Sequence, residues 1–363
     1  MGASLLWQAG KPGITRTADW RVFALSFLGM LIGGVVAIYL FVVLVDPYDI
    51  VPFSLPIDRR IVSISDRFMY PQIVRSKRFD SLIVGTSTAR LLDPELLDKS
   101  FHARIANLAM DSATAWEQQA MIDLFLRTLG PPTALIVGLD GVWCAQDADQ
   151  HRITFRGFPY WLYDDNRWND YLYLLNYGTL EIAVRLVGYH LGLYPERRRY
   201  DGYEVFVPPE SQYDAARAHN TIWAGLPSPR PAIDPAPPLS AAERSQLAFP
   251  ALAWLDAALA RLPARTLKIL AFMPIHVAAQ PVPGTRAAAV EAECKTRIVA
   301  LGRAHGAKVI DWGFASPLTG NDANYWDRLH YRVPIATQIA EELGAAALAG
   351  RESEDGSYRL LVR

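Results

Sequence analysis

This sequence of 363 residues contains only two cysteines and has almost no excess of positive or negative charge. Lys and Arg number 36 against 37 for Asp and Glu, so no basic surface for a nucleic-acid partner is predicted. The two cysteines, Cys144 and Cys294, lie far apart and outside any CxxC spacing, which excludes a disulfide framework and leaves a structural zinc site unsupported. They either form one disulfide in an oxidising compartment or remain two separate thiols, and we favour separate thiols.

Long apolar runs are equally few, and only one has the length of a membrane span. The run from Val22 to Val45 contains no charged residue, and a helix of this length covers a hydrocarbon core of about 30 Å. The next candidate, Leu174 to Leu193, is interrupted by Glu181, Arg185 and His190. We therefore predict one transmembrane helix and no second crossing.

The charges that flank this run predict its orientation. Lys11, Arg16 and Arg21 precede it, whereas Asp46 and Asp49 follow it. The positive-inside rule then places the N-terminus in the cytoplasm and everything after the helix outside. A cleaved signal peptide is the alternative, but the run is longer than a typical h-region and no small-x-small site closes it. We predict a single-pass protein of the cytoplasmic (inner) membrane with a periplasmic or otherwise extracytoplasmic domain.

The rest of the chain alternates short apolar runs with helical periods. Hydrophobic residues make up 51% of the chain and charged residues 20%, which is typical of a packed globular body. The predicted strands are Ser81–Gly85, Ala103–Leu108, Ala134–Leu139, Leu267–Met273 and Lys308–Ile310, and the clearest predicted helices are Trp116–Leu129, Ala287–Ala304 and Pro334–Leu348. Short Val/Ile/Leu runs are typical of strands buried on both faces, so the alternation predicts an α/β fold with a doubly wound parallel sheet.

Composition shifts divide the chain into segments. The predicted segments are a cytoplasmic tail (1–21), the transmembrane helix (22–45), a stalk or linker (46–77), an α/β domain (78–350) with an aromatic-rich insertion (144–240), and a C-terminal tail (351–363). Proline in the stretch 46–60 favours an extended stalk, and proline between 227 and 238 excludes regular structure there. Within the insertion we expect at least one helix, around Leu180–Gly192.

The first candidate for chemistry is the serine of Gly85-Thr86-Ser87, directly after the first strand. Ligands of open parallel sheets bind beyond the carboxyl ends of the strands, and a helix N-terminus favours developing negative charge. Ser87 is therefore a candidate nucleophile, although small residues at such a turn are often plain turn chemistry.

The second candidate is a DxxH motif, Asp327 to His330, near the C-terminal end of the chain. A hydrolytic serine needs a base within hydrogen-bond reach and a carboxylate that orients this base. The spacing allows Asp327 to reach the imidazole of His330 within one turn. The alternative is that the pair only caps the following helix.

Together the two motifs resemble the SGNH (GDSL-like) hydrolase superfamily, over roughly residues 78–345 apart from the insertion. The resemblance is carried by the stretches IVGTSTARLLDPE (83–95), ANLAMDSATAWEQ (106–118), VGLDGVW (137–143), FMPIH (272–276) and NYWDRLHYR (324–332). It implies a flavodoxin-like core, Ser87 as nucleophile, His330 as general base, Asp327 as its orienting carboxylate, and no metal or diffusible cofactor. Within the superfamily the chain looks most like the membrane-anchored extracytoplasmic branch, which includes the alginate O-acetylation proteins and the teichoic-acid D-alanyl transfer protein.

The resemblance also implies an oxyanion hole, where the chain departs from the superfamily's pattern at two positions. Ser112 stands where the second block has a glycine, and Asp140 where the third has an asparagine. A backbone N–H still donates from serine, whereas an ionised carboxylate would repel an oxyanion. Asp140 is therefore expected to be protonated, turned away or in another role. The hole then consists of backbone amides near Gly85 and Ser87, with Asn107 close by.

Three further features have a functional and a structural interpretation. His276 follows the fourth strand and is either a substrate or supporting residue or a packed histidine. Arg90, one turn after Ser87, meets either an anionic substrate or an ordinary ion-pair partner. The aromatic cluster is either a sugar-stacking wall or an anchor for the insertion, or it lies near the bilayer, and its residues are Phe155, Phe158, Tyr160, Trp161, Tyr163, Trp168, Tyr171 and Tyr173.

These patterns predict a serine acyl-ester enzyme, either an O-acyltransferase or an esterase, that acts on an envelope or exported polysaccharide. The resemblance further implies a multi-spanning membrane acyltransferase as a partner. A non-catalytic glycan-binding or scaffold subunit of a membrane complex is the main alternative, and Asp140 favours it. A lipid esterase is a third alternative and predicts an apolar groove that faces the bilayer.

Overall fold

The computed structural model of the chain describes residues 17–228, 230 and 235–363. The predicted cytoplasmic tail, 1–21, lies mostly outside the described residues. So does part of the proline-rich stretch 227–238.

Helices and strands alternate over most of the described chain. The helices are α1 (Thr17–Val45), α2 (Asp66–Arg75), α3 (Ser87–Arg90), α4 (Pro94–Phe101), α5 (Ala115–Leu129), α6 (Tyr160–Tyr163), α7 (Arg167–Tyr173), α8 (Tyr177–His190), α9 (Ala215–Ile222), α10 (Ala241–Gln246), α11 (Pro250–Ala260), α12 (Arg286–His305) and α13 (Val333–Ala349). The strands are β1 (Ser81–Val84), β2 (Ile105–Asn107), β3 (Ala134–Leu139), β4 (Leu267–Phe272), β5 (Lys308–Asp311) and β6 (Arg359–Val362). Short 3-10 turns occupy Gly141–Cys144, Glu210–Gln212 and Asp322–Asn324.

The predicted α/β class with a mostly parallel sheet is confirmed. The strands form one six-stranded sheet in the order β2-β1-β3-β4-β5-β6, and the first five pair in parallel. Alternate strand residues enter two hydrophobic clusters: Leu82 packs with α5 residues on one face, and Ile83 packs with α13 residues on the other. Helices therefore cover both faces, which explains the continuous apolar strand sequences.

The C-terminal stretch 351–363 is more than the predicted tail. Its residues Arg359–Val362 form β6, which pairs antiparallel with the edge strand β5. Val362 lies opposite Val309, and the register shifts between Val309 and Ile310. A four-residue strand whose apolar side chains are only half-buried carries little periodic signal, so the sequence pattern missed it.

The helix α1 is long and apolar enough to cross a membrane, although length and composition alone identify it as such. Most of its side chains face outward, from Trp20, which is 68% exposed, to Leu40, which is 53% exposed. Its last turn is different, because Val42 and Val45 are buried in the core of the domain. The helix therefore ends inside the folded body.

The prediction of an extended stalk over 46–60, within the stalk or linker segment 46–77, is wrong for this structure. Tyr48 and Ile61 are fully buried, and α2 within this segment packs against α5. The turn after α1 is held by Asp46, whose carboxylate accepts the N–H groups of Ile50 (3.1 Å) and Val51 (2.8 Å). These bonds fold the proline-rich segment back onto the domain instead of extending it.

The connection from β3 to β4 contains the helices α6 to α11, and the helix expected around Leu180–Gly192 is present as α8. Helix α11 packs against α5 and α12, so this long connection also supplies part of the core. Other parts of it approach the carboxyl ends of the strands, where they contribute to the site described below.

The expectation of two separate thiols is also wrong, because Cys144 and Cys294 form a disulfide. Cys144 ends the 3-10 turn after β3, and Cys294 lies fully buried in α12. The two are 150 residues apart, and only the packing of α12 beside that turn brings them together. The bond therefore fixes α12 to the segment that follows the central strand.

Removal of this disulfide is expected to destabilise the folded chain. Replacing both Cys144 and Cys294 by alanine opens a long cross-linked loop and should lower the free energy of unfolding by about 4 kcal/mol. Thermal unfolding of the full chain in detergent, with and without reductant, measures this loss. Reductant should shift the parent and leave the double variant unchanged. Rapid alkylation of both cysteines in the native, unreduced protein would contradict the bond.

Candidate functional site

Ser87 occupies the first position of α3, beyond the carboxyl end of β1. The turn into α3 is tight because Gly85 leaves room for Ala89: a Cβ on Gly85 would lie 2.7 Å from the Ala89 Cβ. Gly138 on β3 is constrained in the same way, with its own Cβ position 2.7 Å from that methyl group. Two glycines thus let α3 sit directly on the sheet, and the glycine predicted at the oxyanion site has a packing role.

Asp327 and His330 lie on a hairpin in front of α13. Its base is closed by the antiparallel bridge between Tyr325 and Tyr331, both buried, and by the N–H of Trp326, which donates to the carbonyl of His330 at 2.9 Å. The Tyr331 hydroxyl donates to the carbonyl of Thr88 in α3. This hydrogen bond joins the hairpin directly to the turn that carries Ser87.

The structure brings the three predicted residues together. The Nε2 atom of His330 is 3.0 Å from the Oγ atom of Ser87, and its Nδ1 atom is 2.8 Å from Oδ2 of Asp327. Because the carboxylate accepts from Nδ1–H, the lone pair of Nε2 faces the serine hydroxyl. This is the arrangement by which a histidine removes the proton of a serine nucleophile.

Asp327 is held as a carboxylate by several donors. The N–H groups of Leu329 and His330 donate to its Oδ1 atom at 2.7 and 2.9 Å. Burial raises the pKa of the Asp327 carboxyl, but the hydrogen bond from His330 and these backbone donors outweigh burial and lower that pKa overall. The group therefore remains charged at neutral pH and keeps the imidazole in one orientation.

Arg90 does not point into the site as a free cation. Its guanidinium pairs with Glu204 and lies over the ring of Phe206, 4.6 Å from the ring centroid, and the whole residue is buried. The Phe206 ring in turn meets His330 edge to face, with 5.3 Å between ring centroids. Arg90 thus supports the wall behind His330, and of its two interpretations the structure shows the ordinary ion pair.

Asn107 is likewise committed to the fold. Its amide donates to the carbonyls of Ala89 (3.0 Å), Arg90 (3.2 Å) and Leu92 (2.9 Å), and its Oδ1 atom accepts the N–H of Ala109. The side chain is buried and has no donor left for an oxyanion. The expectation that Asn107 contributes to the oxyanion hole is therefore wrong, and its role is to tie β2 to the end of α3.

Ser112 is exposed, and its φ of +52° lies in the left-handed region that favours glycine. A glycine would adopt this conformation without strain. The stretch that contains it runs beside the turn after β1, where the N–H of Met110 donates to the carbonyl of Gly85 at 3.0 Å.

Asp140 makes contacts that turn its carboxyl group towards the chain. Thr86, the residue before Ser87, donates its hydroxyl to Oδ2, and the N–H of Val142 donates to Oδ1 at 3.1 Å. Burial raises the pKa of Asp140 and outweighs the lowering effect of these two hydrogen bonds. The carboxyl group thus caps the 3-10 turn that ends at Cys144 and braces the turn of the serine.

His276 is fully buried, which supports its structural interpretation. Its Nδ1 atom accepts the N–H of Ala278 at 3.1 Å, and its Nε2 atom lies 3.0 Å from Oδ1 of Asp322. Asp322 also meets Nδ1 of His219 at 2.5 Å and Nε1 of Trp223 at 3.2 Å. The backbone N–H of His276 donates to the carbonyl of Arg328 at 2.9 Å, so this cluster supports the hairpin that carries His330.

A cavity of about 690 Å³ lies beside His330. Its lining residues are Thr221, Ala224, Leu226, Arg230, Ala278, Ala279, Asp327, Arg328, Leu329 and His330. The guanidinium groups of Arg230 and Arg328 each donate to two backbone carbonyls, those of Gln280 and Ala278 and those of Ile222 and Ala224. The cavity is large enough for a small acyl group and part of its acceptor.

The aromatic cluster is divided between two places, and none of its members lines this cavity. Phe158, Trp161 and Tyr163 are buried in the core, where Trp161 meets Tyr48 edge to face at 5.4 Å between ring centroids. These three anchor the insertion to the domain. Trp168, in contrast, is 84% exposed and lies away from the candidate site.

Sequence reasoning missed Asp322, Phe206 and Tyr331. Asp322 lies two residues before the stretch 324–332 and belongs to no motif, and its partners His219 and Trp223 come from the insertion, which carries no motif either. Phe206 belongs to the same irregular connection, and Tyr331 was quoted without a role. Only the tertiary arrangement identifies their contacts.

No protein-family model matches the chain, and no curated protein matches it. The geometry of the site therefore carries the functional argument.

The burial of His276 predicts a pH dependence of stability. Burial lowers the pKa of His276 although Asp322 acts against this change, so the folded state binds a proton less readily than the unfolded chain. The contribution of His276 to the free energy of unfolding should be fully present above pH ~6.5. Below that pH it should decrease by up to about 1.4 kcal/mol per pH unit. His276→Gln should remove this slope between pH 7 and 5, measured by urea unfolding of the full chain in detergent.

The control for this experiment is His151→Gln, because the side chain of His151 is 72% exposed and its loss should leave the slope unchanged. Equal slopes for the parent and His276→Gln would contradict the assignment of the slope to this residue.

Proposed function

We propose that the chain is a serine acyl-ester enzyme of the SGNH-like type, which acts outside the cytoplasm as an O-acyltransferase or esterase. The observation that carries this proposal is the continuous hydrogen-bonded line from Ser87 through His330 to Asp327, with distances of 3.0 and 2.8 Å. Ser87 and His330 are 243 positions apart in the sequence. A simple helix cap would involve only Asp327 and its neighbours and would not require Ser87.

The reaction begins when the Oγ atom of Ser87 attacks the carbonyl carbon of an acyl ester and its proton passes to Nε2 of His330. Asp327 stabilises the imidazolium that forms. The tetrahedral intermediate then collapses, and the protonated His330 gives its proton to the leaving alcohol. The acyl-enzyme on Ser87 is next attacked by an acceptor hydroxyl in a transferase or by water in an esterase, with His330 again as base.

The negative charge of the intermediate is met by backbone N–H groups. We assign the first donor to Ser87 and the second to the stretch around Ser112, whose left-handed φ suits the glycine position of this role. Asp140 lies behind the serine turn, bonded to Thr86 and Val142, so its carboxyl group is not itself a donor.

The architecture agrees with this class. The parallel strands follow the order 2-1-3-4-5, which is the flavodoxin-like order, and ligands of such sheets bind beyond the carboxyl ends of the strands. Ser87 follows β1 at that edge, and the hairpin of His330 reaches it from the loop before α13.

The proposed location of the domain is supported by α1 and by the disulfide. We propose that α1 spans the cytoplasmic membrane with its N-terminus inside, as the flanking charges predict. The bond between Cys144 and Cys294 supports an oxidising compartment for the domain. An envelope or exported polysaccharide is then the acceptor or substrate, and a multi-spanning acyltransferase the partner that supplies acyl groups across the membrane.

A serine-directed fluorophosphonate tests the activated nucleophile. Intact mass of the full chain in detergent should show one adduct, which Ser87→Ala abolishes and His330→Ala slows by about 10³-fold or more. Ser245→Ala serves as the control, because Ser245 is exposed on α10 and should leave the adduct unchanged. The full chain is used because Val42 and Val45 of α1 belong to the core.

Absence of an adduct on folded, disulfide-bonded protein would overturn the enzymatic proposal. The non-catalytic glycan-binding or scaffold subunit would then be the better description, since it requires no activated serine.

Asp140→Asn tests the effect of the carboxyl group behind the serine. An asparagine keeps one acceptor oxygen for the N–H of Val142, can donate its amide N–H to the Thr86 hydroxyl oxygen, and carries no charge, so the variant should react with the fluorophosphonate at least as fast as the parent. Burial raises the pKa of Asp140, so its ionised fraction grows as the pH rises through that raised pKa, and the rate ratio of variant to parent should increase in the same direction. A variant slower than the parent at every pH would show that the acid itself is required.

A further inference from the structure

An apolar corner lies at the junction of α7 and α8. We use this name for Trp168, Leu172, Tyr173, Leu175 and Tyr177, five large side chains within one short stretch that all face outward. Trp168 is 84% exposed, and Leu172 and Tyr177 are each 81% exposed. Single exposed apolar residues are ordinary on a protein surface, but several large ones within one short stretch indicate a contact surface.

The apolar corner lies beside the end of α1 and not beyond it. The hydroxyl of Tyr39 in α1 donates to the carbonyl of Tyr171 in α7 at 3.1 Å. Tyr39 precedes Val45 by six residues, so this contact lies about 9 Å before the end of the helix along its axis. The corner is therefore level with the outer part of the apolar surface of α1, where Leu40 and Leu44 also face outward.

The relative position of the two surfaces is fixed by packing. Val42 and Val45 of α1 are buried in the core, and α1 packs along α8. The hydroxyls of Tyr48, just after α1, and Thr179, in the first turn of α8, are 3.3 Å apart and buried. If α1 were joined to the domain by a flexible tether, the position of α7 along the axis of α1 would be undefined. Here the packing of α1 against the domain fixes that position.

We propose that the apolar corner inserts into the outer interfacial layer of the lipid bilayer, beside the point where α1 leaves it. This inference rests on the proposed membrane-spanning role of α1. Trp and Tyr favour the boundary between headgroups and acyl chains, where an apolar ring meets lipid and a polar edge meets water. The spanning helix α1 and the inserted corner together fix the tilt and rotation of the domain relative to the bilayer, which a single spanning helix leaves free.

A transmembrane segment of a partner protein is the competing occupant of the same corner. The bilayer is favoured because the corner is continuous with the lipid-facing side of α1 and lies at its depth. Reconstitution of this protein as the only protein in a lipid disc separates the two, because no partner is then present.

The test uses depth-dependent quenching of a probe at single introduced cysteines. The two native cysteines are bonded to each other, so each substitution provides the one free thiol of the chain. The variants are Trp168→Cys and Leu172→Cys in the corner, Ile32→Cys in the exposed part of α1, and Leu348→Cys, which is 55% exposed at the end of α13 on the other side of the sheet. Full-length chains carry an environment-sensitive fluorophore in phosphatidylcholine discs that contain nitroxide lipids.

Probes at Trp168→Cys and Leu172→Cys should show blue-shifted emission and lose intensity to lipids with a nitroxide near the headgroup. The probe at Ile32→Cys should respond to a nitroxide deep in the acyl chain, and the probe at Leu348→Cys only to a water-soluble quencher. Quenching of both corner probes by the water-soluble reagent alone, with Ile32→Cys still quenched by lipid, would overturn this inference. Loss of lipid quenching at Ile32→Cys would instead overturn the membrane-spanning role of α1 on which it rests.

Discussion

The close contact between α3 and the sheet is the constraint on which the candidate site depends. Gly85 and Gly138 approach the methyl group of Ala89 so closely that neither position accommodates a side chain without a shift. This contact sets the height of Ser87 above the strands. The hydroxyl of Tyr331 then bonds to Thr88 in the same turn, and this bond fixes the hairpin of His330 relative to the serine. A displacement of α3 would therefore separate the nucleophile from its base, although neither residue itself had changed.

A series of ion pairs behind α3 connects this helix with the connection near residue 204 and with α2. Arg90 pairs with Glu204, Glu204 also accepts from Arg198, and Arg198 pairs with Asp66 of α2. Buried ion pairs add little net stability because desolvation offsets their attraction, but removal of one partner leaves an unpaired charge in the interior. The series of pairs therefore specifies how the connection near residue 204 lies against α2 and α3. That connection also holds Phe206 against His330.

Two features hold distant segments of the chain to the domain, the disulfide and the buried last turn of α1. The disulfide between Cys144 and Cys294 fixes α12 beside the turn after the central strand. The last turn of α1 is part of the hydrophobic core, so the apolar helix and the domain form one unit. A domain attached in this way has a defined orientation relative to whatever surrounds α1. This separates it from domains on flexible stalks, which sample many orientations.

The sequence by itself determined the features that depend on local composition. The uncharged run of α1, the Val/Ile/Leu runs of β1, β3 and β4, and the helices α5, α12 and α13 each carry their own periodic signal. The motifs also predicted which serine, aspartate and histidine would lie together, because a hydrolytic serine needs a base within reach and that base needs an orienting carboxylate. Their grouping is observed, whereas their chemical role remains a proposal.

Only the tertiary structure decided the features that depend on distant partners. The disulfide requires α12 to pack beside the turn that contains Cys144, and no spacing rule predicts a pair 150 residues apart. Arg90 and Asn107 looked available for a substrate because their partners, Glu204 and the carbonyls at the end of α3, belong to other segments. The supposed stalk folded onto the domain for the same reason, since Tyr48 finds its apolar surroundings in the insertion. Local patterns indicate which residues must be buried, but only the tertiary structure determines which group buries each of them.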